Sequence, residues 1–220
     1  MDHKLITIAD QIFEQLEKDI LSGKIPKDTQ LTEPKLSSLL GVSRTPIREA
    51  LRRLEQEHFI EETPKGLLVV GITKEDLRDY YEIRLALEGR AAELAAAHIT
   101  DESLNDLSEA ISMQAFYLDR QKKENTDCSE KIKDLDSRFH ELLYRSTGSA
   151  AYQEVLLPIH KKITKYRKSS VCNTSRAEES IREHTEIFQA LRAHDSSKAG
   201  SLMIRHIKNA RDSILAREEA

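Results

Sequence analysis

Residues Leu31 to Ile60 read LTEPKLSSLLGVSRTPIREALRRLEQEHFI: two short amphipathic stretches, joined by Gly41-Val42-Ser43, with arginines at positions 44, 48 and 52 of the second. In the first stretch Leu31, Leu36, Leu39 and Leu40 fall on one side, and Gly41 suits the positive φ that ends a helix. In the second, Ser43 or Thr45 can cap free N–H groups, and Pro46 sits in a first turn that needs no donor. Ile47, Leu51 and Leu54 repeat at helical spacing, so they dock on the first helix and leave Arg44, Thr45, Arg48 and Arg52 outside. This spacing predicts a helix–turn–helix.

The start of the second helix in such a motif enters the major groove, where arginine pairs with a guanine edge and threonine meets phosphate or a thymine methyl. The alternative is a solvated surface on which these arginines pair with Glu49, Glu55 and Glu57. Just beyond, Phe59 to Glu62 and Leu67 to Val70 pair as strands across Thr63-Pro64-Lys65-Gly66, as a wing or a plain hairpin. Lys65 at its tip can lie along a phosphate, and Gly66 lets the backbone approach the minor groove. The expected DNA-contact set is Lys35, Ser43, Arg44, Thr45, Arg48, Arg52, Lys65 and Gly66. Upstream, Leu5, Ile8, Ile12, Phe13, Leu16 and Ile20 mark a further helix ending near Ser22-Gly23.

Charge supports a focused patch. The 220-residue chain carries −4 overall, and residues 1–72 hold 10 Lys+Arg against 12 Asp+Glu. Residues 35 to 53, by contrast, hold five Lys+Arg against Glu49, a local +4. Binding therefore depends on that patch and on salt. Cys128 and Cys172 lack metal-type spacing, so neither a disulfide framework nor a zinc finger is expected. With no membrane-length apolar run and no signal-peptide pattern, the expectation is a cytoplasmic protein without a membrane partner.

The expected boundary lies at Gly71-Ile72-Thr73, dividing residues 1–72 from 73–220, with Thr73 and Asp76 spaced like a capping box. Six helical patterns follow, at about 74–98, 102–121, 127–147, 150–170, 176–194 and 197–217, with Ser175 and Glu178 as a second capping box. The fold class is mainly α: a winged helix–turn–helix with a small β-hairpin, then an antiparallel bundle of six helices. Asp136 and His140 lie one turn apart on one helix, and His184 and His206 stand among apolar positions of two others. Inward-facing side chains like these build metal sites in bundles, and the same residues also serve as ordinary core histidines. His3, His58, His98, His160 and His194 are read as ordinary histidines.

The stretch LTEPKLSSLLGVSRTPIREALRRLE resembles the winged-helix signature of the GntR family of bacterial transcription regulators over roughly residues 8 to 70, although Pro34 and then Lys35 follow Glu33 where many members place a basic residue at once. YEIRLALEGRAAELAA, DLDSRFHELL, REHTEIFQAL and LMIRHI resemble the all-helical effector (FCD) domain of its FadR-type subgroup, in the six-helix, VanR-like variety. The resemblance implies a divalent metal (zinc, nickel, manganese or iron) on Asp136, His140, His184 and His206, and small carboxylates as effectors. One carboxylate and three neutral imidazoles around a divalent ion leave +1, which suits an anionic oxygen ligand. Arg84 is a candidate second anchor for that ligand, or else an ion-pair partner of Glu82 or Glu88. The expected function is a transcriptional repressor, homodimeric on a palindromic double-stranded operator and released or retained by the effector. A metal-responsive repressor and a helical metalloenzyme are the competing readings; no nucleophile–base pairing or phosphate-cradling glycine loop supports the latter.

Overall fold

A computed structural model describes residues 7–64, 66–71, 73–168 and 174–218. The elements in chain order are α1 (Ile8–Leu21), β1 (Gln30–Leu31), α2 (Glu33–Leu40), α3 (Arg44–Gln56), β2 (Ile60–Thr63), β3 (Gly66–Val69), α4 (Lys74–His98), α5 (Asp101–Glu124), α6 (Ser129–Ser146), α7 (Ala150–Lys168), α8 (Thr174–Arg192) and α9 (Ser196–Glu218). They form two compact units that divide between Thr73 and Lys74. Among the described residues, no helix is long and apolar enough to cross a membrane.

In the first unit α1 opens with a capping box. Thr7 Oγ1 accepts from Asp10 N at 3.1 Å, and Asp10 Oδ2 accepts from Thr7 N at 2.9 Å. Ile12, Phe13, Leu16 and Ile20 pack with Leu36 of α2 and with Ile47, Leu51 and Leu54 of α3 in one core. Ile8 is exposed, and Leu5 lies outside the described residues. Leu39 departs from the expected apolar side and is 75% exposed. An eight-residue helix presents one contact line, and Leu36 and Leu40, one turn apart, occupy it.

Gly41 takes φ +66° and closes α2 as expected. Ser43 is extended at the head of α3, but its side chain makes no capping bond, and Thr45 lies inside the helix. The turn is braced from the other side, where Ser37 Oγ donates to the Val42 carbonyl at 2.7 Å. The wing strands pair antiparallel from Ile60↔Val69 to Thr63↔Gly66. A third strand, β1, was not expected; it joins β3 through Gln30↔Leu68 and makes the order β1-β3-β2. Two residues carry no alternation for a sequence reading to detect.

In the second unit α4 packs along α9, and α5, α6, α7 and α8 complete the bundle around Leu77, Phe139, Leu143, Ile187, Met203 and Ile207. The α4–α9 crossing is close because it is made at glycines: a Cβ on Gly89 would lie 2.7 Å from Ile204 Cγ1. Asp195 Oδ1 caps α9 by accepting from Lys198 N at 3.0 Å. Ser175 falls inside the first turn of α8, which begins at Thr174, so it does not occupy the capping position.

Two outcomes follow from this packing. Gly89→Ala should destabilise the helical unit by about 1–3 kcal/mol in urea unfolding, and Gly89→Ala with Ile204→Ala should recover part of the loss. In α1, hydrogen bonds from the Thr7 backbone and side chain and from Arg53 hold the Asp10 carboxyl at about 2, below its ordinary 3.8. Its stabilising contribution is therefore present above 3.8 and lost as pH falls through about 2. Amide exchange in α1 should accelerate over that window, and Asp10→Asn should flatten the dependence.

Candidate DNA-reading face and metal centre

On the first unit, burial of Ile47, Ala50, Leu51 and Leu54 turns Arg44, Thr45, Arg48 and Arg52 of α3 outward, all exposed. Ser43 and Lys35 are exposed beside them. Gly66 takes φ +110°, with Gln30 packed against the face a Cβ would occupy. Lys65 lies outside the described residues. Arg53 faces the other way, pairing with Asp10 at 2.6 Å and lying over the Phe13 ring. Arg48 is engaged: its Nε and Nη2 donate to Glu33 Oε1 and Oε2 at 2.7 and 3.0 Å. The sequence reading missed this partner, because Glu33 stands in α2, fifteen positions away, and nothing local pairs the two.

In the second unit α6, α8 and α9 bring His140, His184 and His206 together, fully buried, with one ring nitrogen from each within 4.8 Å of the others. His140 Nε2 and His206 Nε2 lie 3.2 Å apart. Asp136 is buried one turn before His140; its Oδ1 accepts from Ser180 Oγ at 2.8 Å and lies 3.9 Å from His184 Nε2. The His184 ring stacks on Phe139, and neither of its nitrogens has a hydrogen-bond partner.

Two carboxylates stand behind the imidazoles, and the sequence reading named neither in that role. Burial raises the Glu183 carboxyl, but hydrogen bonds from His206, Arg176 and Asn209 outweigh it and hold it at about 2. Glu183 is thus an acceptor at neutral pH, and His206 Nδ1 donates to its Oε2 at 2.7 Å. Burial, offset in part by Glu183, lowers the His206 imidazole to about 4, so the ring is neutral and its Nε2 carries a lone pair. His140 Nδ1 lies 3.4 Å from Glu88 Oε2, with no hydrogen bond between them. Glu183 draws a proton to His206 Nδ1, and His206 Nε2 then turns a lone pair toward His140 Nε2, 3.2 Å away. A proton on His140 Nε2 or a cation between the rings satisfies that lone pair. The donor set therefore fits a divalent ion with nitrogen preference.

Arg84 is 2% exposed and ion-paired through Nε with Glu88, one of the two partners the sequence allowed. Burial opposes the charge on both groups, and their mutual attraction outweighs it: Arg84 rises and Glu88 falls well below the usual carboxylate range. Arg84 Nη2 has no hydrogen-bond partner. His160, read from sequence as an ordinary histidine, is buried with its ring 4.7 Å from that of His140 and both nitrogens unpartnered. A lone histidine on α7 carries no spacing signal that could have singled it out.

These features define a class of protein, a winged-helix DNA-binding regulator with an all-helical unit that holds a buried histidine cluster. Residues 8–69 match the bacterial regulatory proteins of the gntR family, and residues 79–209 match the FCD domain. The HTH-type transcriptional repressor RspR of Escherichia coli is 28% identical over 94% of this chain and 89% of its own. The gluconate operon transcriptional repressor of Bacillus licheniformis is 30% identical over 80% and 68%. Among solved structures, E. coli McbR/YncC shares the fold at TM-score 0.70 and 22% identity, over 98% of this chain and 100% of that one. The chain belongs to the GntR family, with an FCD domain behind its DNA-binding domain, and is a DNA-binding transcriptional regulator.

The geometry fixes one tautomer. In metal-free protein at pH 7, the imidazole ¹⁵N shifts of His206 should report a protonated Nδ1 and a bare Nε2, and Glu183→Ala should abolish that preference.

Proposed function

We propose that this regulator is a repressor whose operator affinity is set by a small carboxylate bound at a divalent metal in the helical domain. Asp136, His140, His184 and His206 would hold the ion, which supplies a positive centre for an anionic oxygen and performs no chemistry. The observation that carries the reading is the buried convergence of His140, His184 and His206, with one ring nitrogen from each within 4.8 Å of the others and Asp136 Oδ1 3.9 Å from His184 Nε2. Arg84 is the second anchor for the acid, through the Nη2 that its pairing with Glu88 leaves open. Two relatives are named as transcriptional repressors of a gluconate operon, which supports a repressor linked to a small carboxylate.

On DNA, Arg44, Thr45 and Arg48 read bases or phosphates, and Lys35, Ser43, Arg52, Lys65 and Gly66 contact the backbone. A homodimer in the cytoplasm places two α3 helices on a palindromic operator, and the acid shifts the balance between two dimer states. The second reading, in which the ion itself is the signal, rests on the same histidine cluster. Stripping and restoring metal with no acid present separates the two: a switch in operator binding favours the ion as signal, and release only on adding acid favours the carboxylate.

His184→Ala should lower bound metal, measured by elemental analysis of purified protein; an unchanged stoichiometry would remove that residue from the site. Arg48→Ala should weaken specific operator binding by about 1–3 kcal/mol while leaving the helical circular dichroism intact.

A further inference from the structure

Arg48 is 70% exposed, yet its side chain is held by a two-pronged ion pair, Nε to Glu33 Oε1 at 2.7 Å and Nη2 to Glu33 Oε2 at 3.0 Å. A guanidinium has five N–H groups in one plane. This pairing spends Nε–H and one hydrogen of Nη2 on the side edge. The end edge, with one hydrogen each from Nη1 and Nη2, stays open and points away from the carboxylate. Two parallel N–H groups at that spacing match N7 and O6 of guanine. Glu33 is itself fixed, since it is the first residue of α2, where the helix dipole favours an acid, and Thr32 caps the same turn by accepting from Lys35 N.

We propose that Glu33 is a specificity-determining positioning residue: it clamps the side edge of Arg48 so that the end edge is presented, already oriented, to a guanine in the operator. The proposal rests on the reading that Arg48 enters the major groove. Its physical basis is entropy. A free arginine loses rotamer freedom on being held in one geometry, and a clamp formed before binding removes part of that loss from the recognition step. The hydrogen bonds from Arg48 also hold the Glu33 carboxyl below its ordinary range, so the clamp is charged at neutral pH.

The sign of the effect separates this role from a surface charge. An acid beside DNA repels phosphate, so a Glu33 with no further role would, on neutralisation to glutamine, strengthen binding to every duplex. The clamp predicts the reverse on the cognate site. The test uses the full chain and a duplex that it selects from a random pool, with a scrambled duplex as the reference. Glu33→Gln should cut the ratio of selected to scrambled affinity on the order of tenfold, within the range of one bidentate base contact, with scrambled affinity equal or higher. The loss should vanish when Arg48 is already Ala, and when the contacted guanine is replaced by 7-deazaguanine. Glu33→Asp, which keeps the charge and shortens the reach, should fall between.

If Glu33→Gln raises both affinities together, or if its loss persists in the Arg48→Ala background, the clamp is refuted. If Arg48→Ala itself leaves the ratio unchanged, the reading that Arg48 recognises DNA fails, and the clamp falls with it.

Discussion

The helical unit is organised by the need to neutralise charge in a dry interior. Glu88 and Asp136 are buried on α4 and α6, with Glu183 on α8 close behind, in a bundle built around a large aliphatic and aromatic cluster. An unpaired carboxylate there would cost several kcal/mol, so each must find a cation or donors. Glu88 has Arg84, Asp136 has Ser180 and Gln114, and Glu183 has Arg176, Asn209 and His206. The imidazoles are oriented as a result. Where the His206 proton sits follows from the ionised Glu183 behind it. Replacing this network by leucines of similar volume would cost little stability, and removing a single partner would cost much. Packing alone does not call for such an arrangement, which supports the proposed site.

The same principle operates on the surface of the other unit with weaker terms. Arg48 is exposed and Glu33 only partly buried, so their pairing adds little to stability. What the pairing changes is conformational freedom, and that matters at the moment of binding. Arg53, on the inner side of the same helix, uses its charge differently: it ties α3 to Asp10 and to Phe13, and so sets the platform from which Arg44, Arg48 and Arg52 project.

What was legible in the sequence follows the range of each interaction. Helix ends set by local chemistry, such as Gly41 at positive φ, are readable because cause and effect lie within a few residues. The inward stripe Ile47, Leu51 and Leu54 is readable for the same reason. Leu39 misleads because hydrophobicity alone does not say how narrow a contact line an eight-residue helix offers. β1 is invisible, since two residues have no period and their strand character comes from β3 alongside. In the site, the histidines announce themselves by lying among apolar neighbours. Their orienting acids do not: Glu183 reaches His206 across two helices, Glu88 reaches His140 across another pair, and Glu33 reaches Arg48 across the turn of the motif. Pairings between elements depend on packing angles that a sequence does not state.

That distinction bears on which ligand suits the helical site. Under the proposed function, Arg84 alone would present a full positive charge beside the histidine cluster and favour an acid with two carboxylates, one for the ion and one for the guanidinium. With Glu88 paired to it, the pair is close to neutral, and Arg84 offers a directional donor, Nη2, without net charge to balance a second anion. His160 is neutral because burial pushes its imidazole well below the ordinary range, and it adds one donor and one acceptor nearby. Under the proposed function, a neutral, donor-and-acceptor wall beside the ion would favour an acid with a single carboxylate and hydroxyl groups along its chain. A dicarboxylate would place its second charge against Glu88, where desolvation is not repaid.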